Sequence, residues 1–134
     1  MKLSDLGRSA MVDAIVDLID AGSGPGTIEF RTGAAPTNTT DADSGTLLAT
    51  CTFGDPAFGG ASAGVATANA IIGDASVDTD GTPGHFRVKD SNGIVRWQGS
   101  VGTSGADANF NSVTWVEGGT VSISSMTFTQ PPGT

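Results

Sequence analysis

The chain has 134 residues, enough for one domain with a real core and too few for two ordinary ones. Apolar residues and glycine together make up about half of it, the share of a globular protein, so disorder is excluded. The formal charge is −8, and no Lys or Arg stands between Thr32 and Phe86, where Asp41, Asp43, Asp55, Asp74, Asp78 and Asp80 lie; such a surface repels phosphates, which argues against nucleic acid and anionic membrane as partners and for a neutral or basic protein surface.

No apolar run approaches the roughly 18 residues of a membrane span, and Met1-Lys2-Leu3-Ser4-Asp5 lacks the apolar core of a secretion signal, so synthesis and retention in a cytosol are expected. The single Cys51 excludes an internal disulfide framework and a cysteine-built zinc site.

The first element is a helix. Over residues 9–21 Met11, Val12, Ile15, Val16, Leu18 and Ile19 share an arc of about 160° at 100° per residue, while Asp13, Asp17 and Asp20 gather opposite, on the side expected to face water. Ser4 or Ser9 caps its start, and Gly22 with the following Ser23-Gly24-Pro25-Gly26 ends it. The acids oppose the helix dipole, so burial of the apolar arc has to hold the helix together.

From Thr27 onward short strands are expected. Residues 27–31 alternate, as do residues 47–53, which sets Leu47, Ala49, Cys51 and Phe53 inward. The polar run from Gly33 to Gly45 between them reads as a loop leaving the sheet edge, suited to carrying contacts. Glycine and alanine dominate residues 54–70, a loop with a short strand near residues 65–72. The sharpest pattern is at residues 82–101. Two alternating runs flank Asp90-Ser91-Asn92-Gly93, whose Asn-Gly pair tolerates the positive φ of a hairpin turn. That phase places Phe86, Val88, Val95 and Trp97 inside, and His85, Arg87, Lys89, Arg96 and Gln98 in water. Residues 113–116 and 121–129 complete the set, the latter with a bulge at Ser124-Ser125, and residues 130–134 form a tail.

The expected fold is therefore mainly β: an antiparallel β-sandwich or jelly roll at residues 27–129, with one N-terminal amphipathic helix in residues 1–22, all in a single domain.

The candidates for chemistry are few. His85 has no second histidine to work with and reads as an ordinary surface side chain. Cys51 reads as core. Asp41 with Asp43, and Asp78 with Asp80, have the carboxylate spacing of a calcium loop but lack the closing bidentate glutamate, so solvated turns are the simpler reading. Trp97 and Trp115 would suit a sugar platform if exposed, yet both fall on the core phase. No phosphate loop and no Ser/His/Asp set is present, so neither an enzyme nor a cofactor is expected.

Three stretches, 8–36 (RSAMVDAIVDLIDAGSGPGTIEFRTGAAP), 45–59 (GTLLATCTFGDPAFG) and 84–102 (GHFRVKDSNGIVRWQGSVG), resemble a family of small virion proteins encoded among the structural genes of tailed bacteriophages. The resemblance spans most of the chain and carries no catalytic motif. It implies a capsid cement or decoration protein: a jelly-roll sandwich, made in the host bacterial cytoplasm, that forms dimers or trimers on the capsid surface and clamps neighbouring major capsid subunits. On that reading Met11, Ile15 and Ile19 of the helix, and Thr37 and Asn38 of the 33–45 loop, are the expected contacts. The alternative is a receptor- or glycan-binding module of a tail or fibre.

Overall fold

A computed structural model describes all residues, 1–134. The chain is mainly β with one N-terminal helix. Helix α1 spans Asp5–Val16, and a turn of 3-10 helix continues it over Asp17–Asp20. The strands are β1 (Thr27–Thr32), β2 (Leu47–Thr52), β3 (Val65–Thr67), β4 (Pro83–Lys89), β5 (Val95–Gly102), β6 (Ala108–Asn109) and β7 (Thr127–Thr129). Five form a sheet in the order β2-β1-β4-β5-β6, while β3 and β7 form a separate pair. None of the helical segments is long and apolar enough to cross a membrane.

The helix begins four residues before the apolar pattern does, because Ser4 caps it: its Oγ accepts a hydrogen bond from the Gly7 amide at 3.1 Å. Its apolar arc is split. Val12, Val16 and Ile19 are wholly buried, while Met11 and Leu18 remain exposed and Ile15 half-buried. The acids are not simply solvated either. Asp13 Oδ1 accepts from the Ala61 amide at 2.7 Å and Asp20 Oδ1 from the Ala57 amide at 2.9 Å, while Ser9 Oγ takes the Gly64 amide at 3.1 Å. The glycine- and alanine-rich stretch above α1 offers few side chains to pack, so its amides are held by the polar side of the helix instead. Only Asp17 of the three faces water.

The central hairpin forms as its alternation predicts, with Arg87 opposite Gln98 and Val88 opposite Trp97. Its turn uses one positive φ, at Gly93 (+82°). Asp90 organises the turn from within, accepting from the amides of Asn92 (2.9 Å) and Ile94 (3.0 Å) and pairing with Arg96 at 2.6 Å. Strand β1 lies on the other side of β4, and Phe30, Phe86 and Val88 point into a core shared with Val12, Val16 and Ile19. Phe30 sits at its centre, in edge-to-face contact with Phe110 (ring centroids 5.3 Å apart) and Trp115 (5.5 Å).

Several expectations fail in ways that have physical causes. The main sheet is mixed rather than antiparallel, because β6, which carries no apolar alternation to announce it, pairs parallel to β5. Residues 113–116 are no strand; Trp115 makes a single bridge to Gly81, and its indole donates to Ser112 O at 3.0 Å. Of residues 121–129 only β7 is strand, with Val121 bridged separately to Asp74. Residues 113–116 are only four long, and serines interrupt residues 121–126, so neither run sustains a ladder. The tail is not a strand, yet it is tied down: Leu3 N donates to Pro132 O at 2.8 Å and Lys2 bridges Gly133, so the two ends of the chain meet.

Candidate functional site

Strand alternation puts His85, Arg87 and Lys89 on the face of the sheet away from the aromatic core. His85 and Arg87 do not reach water, and Lys89 is only 12% exposed. The loop between β1 and β2 folds back over them, and Arg87 ends up 1% exposed and His85 0%. Both had been expected on the surface. The loop is pinched shut at its base, where Thr32 N donates to Thr46 O at 3.0 Å and Thr46 N to Thr32 Oγ1 at 2.8 Å. Gly33 and Gly45 supply the positive φ values, +76° and +66°, that turn the chain back on itself.

Arg87 is the latch. Its Nη1 donates to Asp43 Oδ1 at 2.6 Å and to Asp41 O at 3.0 Å. Its Nη2 donates to Thr39 O at 2.8 Å and Asn38 O at 3.4 Å, and its Nε to Gln98 Oε1 at 3.1 Å. The five N–H donors of a guanidinium are thereby matched by five acceptors, four of them in the loop. Gln98 passes the grip on, its Nε2 donating to Pro36 O at 2.6 Å, and His85 donates from Nδ1 to Gly33 O at 2.8 Å. A charge buried this deeply is tolerable only because every donor is paired.

Around the latch lies an ion-pair net. Asp43 Oδ2 accepts from Lys89 at 2.7 Å and Arg31 at 3.2 Å, and Glu29 from Lys89 at 2.9 Å and Arg31 at 3.1 Å. Burial alone would raise the pKa of Asp43, but hydrogen bonds from Lys89 and Arg87, with the charges of Lys89 and Arg31, outweigh it and hold the carboxyl below its ordinary value. Asp90 is lowered in the same way: burial opposes, and the Ile94 amide, Arg96 and the Asn92 amide prevail. Asp107 is lowered by the Ser100 amide and hydroxyl.

A folded pKa below the unfolded one means that the stabilisation is complete above the unfolded value, near 3.9, and drains away as pH falls through the folded value. The melting temperature is thus expected to be insensitive to these groups from pH 7 down to about 4.5 and to fall steeply below about 4, with amide exchange in residues 33–45 rising first. Thermal melts and exchange at a series of pH values test this; loop opening that begins between pH 5 and 7 would contradict it.

Three of the four acids considered for a metal, Asp41, Asp43 and Asp80, are engaged within the protein. Asp43 is held by three cations, and Asp41 Oδ2 accepts from the Asn38 amide at 2.8 Å within the loop. Asp80 Oδ1 accepts from the Glu117 amide at 2.8 Å, and Asp78 is exposed beside it in sequence. Nowhere do three or more His, Cys, Asp or Glu side chains gather as a metal-binding group. Cys51 is buried, and burial pushes its thiol pKa up.

Of the residues expected to touch a partner, Thr37 and Asn38 are exposed at the tip of the latched loop, beside Thr39 and Thr40. Met11 is half-exposed on α1 and Ile15 partly covered. Ile19 is 0% exposed and cannot be a contact; it follows the chain into the core as the 3-10 turn tightens the helix. The structure does not bring the helix and loop residues into one site.

On the opposite face the main sheet is only partly covered. Between it and residues 122–129 runs a cleft of about 860 Å³, floored by Phe30, Phe86 and Trp97 and walled by Phe110, Met126 and Phe128. Trp97 is half-buried there, 4.9 Å from Phe128 between ring centroids, whereas Trp115 is buried in the core although the strand expected to carry it does not form. Sequence alternation identified the floor but not the opening, which exists because residues 122–126 run past the sheet without pairing to it.

No protein-family model, curated protein or solved structure matches the chain. The fold and site together define a small, mainly β protein with one helix, whose sheet carries a fixed loop on one face and an aromatic cleft on the other.

Proposed function

We propose that this protein is a non-enzymatic structural component of a tailed-phage virion, an oligomeric decoration protein that bridges adjacent major capsid subunits and is made in the host bacterial cytoplasm. On this reading the five-stranded sheet and the β3–β7 pair are the two layers of a reduced jelly-roll sandwich. The observation that carries the proposal is the latched loop. Its backbone is fixed by Arg87, so the exposed tip Thr37-Asn38-Thr39-Thr40 is presented in one conformation, and a partner that docks on it does not have to order it first. Bridging then works by repetition: each copy adds a modest contact across a seam, and the lattice multiplies it.

The test is to add purified protein to undecorated capsids of the phage and measure occupancy by sedimentation and electron microscopy. Thr37→Arg with Thr40→Arg changes only exposed side chains and is expected to cut occupancy at least tenfold with the melting curve unchanged. Full occupancy by this variant, or density for the protein on the tail alone, would overturn the assignment. The aromatic cleft is what favours the second reading, a glycan- or receptor-binding module of a tail or fibre. Saturable quenching of Trp97 fluorescence by host-surface glycans, abolished by Phe128→Ala, would decide for it.

A further inference from the structure

Strand β7 has one partner and one bare edge. The Met126 carbonyl accepts from the Ala68 amide at 2.9 Å and the Gln130 amide donates to Gly64 O at 2.8 Å, so residues 126, 128 and 130 turn their backbone groups toward β3. Alternation turns those of Thr127 and Thr129 the other way, where no strand stands. Upstream, Ser122, Ile123, Ser124 and Ser125 make no backbone hydrogen bond at all. The open edge therefore runs over residues 122–129, along one wall of the aromatic cleft. Proteins normally blunt such an edge with charge, proline or a covering loop. Here no charged side chain follows Glu117, and Pro131 and Pro132 come only after the edge has ended.

We propose that the cleft is a strand-acceptor site. An extended segment of a partner protein lies along residues 122–129 as a third strand of the β3–β7 layer, and its alternate side chains rest on the floor of Phe30, Phe86 and Trp97.

Three observations select a bare strand as the occupant. The first is what remains free to bond. Gln98 is held by Arg87 and Pro36, the Asn109 carboxamide by both backbone groups of Ala106, and Asp107 Oδ2 by the amide and hydroxyl of Ser100. A sugar would have to compete for these side chains, whereas an extended peptide uses main chain, which the edge leaves open.

The second is room. Phe110 and its neighbours stand on the far side of the cleft, so a gap of about 860 Å³ admits one extended segment with its side chains and not the edge of a folded body, a second copy of this chain included. The third is charge. Asp107 is the one charged residue lining the cleft and the chain carries −8, so the donated segment is neutral or basic.

The test uses purified protein and no virion, so it fails or succeeds apart from the decoration reading. The probes are two pools of seven-residue peptides of one composition, three apolar residues among threonine and lysine, alternating in one pool and contiguous in the other. The alternating pool is expected to change tryptophan fluorescence saturably, at least tenfold more tightly than the contiguous pool. Its best member is expected to slow amide exchange at residues 122–129. Of two analogues of that peptide, N-methylated on its odd or on its even residues, one is expected to lose at least tenfold more affinity than the other, because only alternate amides face the edge.

Thr127→Pro removes an amide that points away from β3, a place where an edge strand tolerates proline. It is expected to weaken peptide binding at least tenfold at an unchanged melting temperature; if the variant melts lower, the N-methylated pair decides. Equal binding of the two pools, unprotected amides at residues 122–129, or full affinity in a stable Thr127→Pro overturns the proposal. So does a cleft that ignores both pools and answers to glycans, which assigns it to a sugar, or self-association that protects the same amides, which assigns the edge to a second copy.

Discussion

Replacing Phe30 by alanine is expected to cost about 4 kcal/mol, the largest effect of any single change considered. The ring is 1% exposed and is the common neighbour of three others: Phe86 on the adjacent strand (ring centroids 6.3 Å apart), Phe110 and Trp115. Edge-to-face pairs of this kind add about 0.5–1.5 kcal/mol each beyond the area they bury, so Phe30→Leu, which keeps most of the volume, should still lose about 1.5 kcal/mol. The loss also has a location. Phe110 and Trp115 belong to a stretch with few backbone hydrogen bonds, Trp115 paired with Gly81 and Phe110 with Gly102, so they depend on Phe30 more than Phe86 does.

Urea unfolding of the alanine variant should show the full loss, with a drop in melting temperature of about 15 °C. Amide exchange should rise first in residues 110–116. A variant that melts within about 3 °C of wild type would mean that the neighbouring rings close over the gap and that the cluster is not the centre of the fold.

The same residue shows what a sequence discloses and what it withholds. Alternation over residues 27–31 marked the strand that carries Phe30, and over residues 85–89 and 94–98 it was enough to place Phe86 and Val88 on one inner face, because period two follows from strand geometry alone. It also placed Arg87 on the other face, correctly, and then sent it to water, incorrectly. Which face a side chain takes is local information; what covers that face is not. The cover here is a loop arriving from between two other strands, and propensity says nothing about where a loop of threonines, alanines and aspartates will lie.

One signal could have found the latch. Of the six Lys and Arg residues three, Arg31, Arg87 and Lys89, fall with Glu29 on the outer phase of two neighbouring strands, while the loop between β1 and β2 holds Asp41 and Asp43 and no cation. Complementary charge of that kind asks for closure. The helix misled for a related reason: Asp13 and Asp20 read as solvated because the pattern cannot show that the glycine-rich chain above them brings unpaired amides within reach.

Breaking the latch tests this account of the outer face. Arg87→Met keeps the aliphatic stem that packs on the sheet and removes the guanidinium, leaving the carbonyls of Thr39 and Asp41 and the Gln98 side chain without their donor. Removing one member of a buried ion pair typically costs 3–5 kcal/mol. Here Asp43 is 31% exposed and keeps Arg31 and Lys89, so the cost should lie at the lower end, about 3 kcal/mol, or about 10 °C in melting temperature.

Arg87→Lys separates charge from geometry. It restores the cation beside Asp43 but offers three donors on a point where the loop requires a planar fork, so it should recover less than half of the loss. Because the core face is untouched, the damage should be local before it is global. Limited proteolysis should cut between Pro36 and Asp43 in Arg87→Met while the remaining chain still melts cooperatively. A protease-resistant loop in Arg87→Met would show that Gln98, His85 and the Thr32–Thr46 closure suffice to hold it, and would remove Arg87 from its central place.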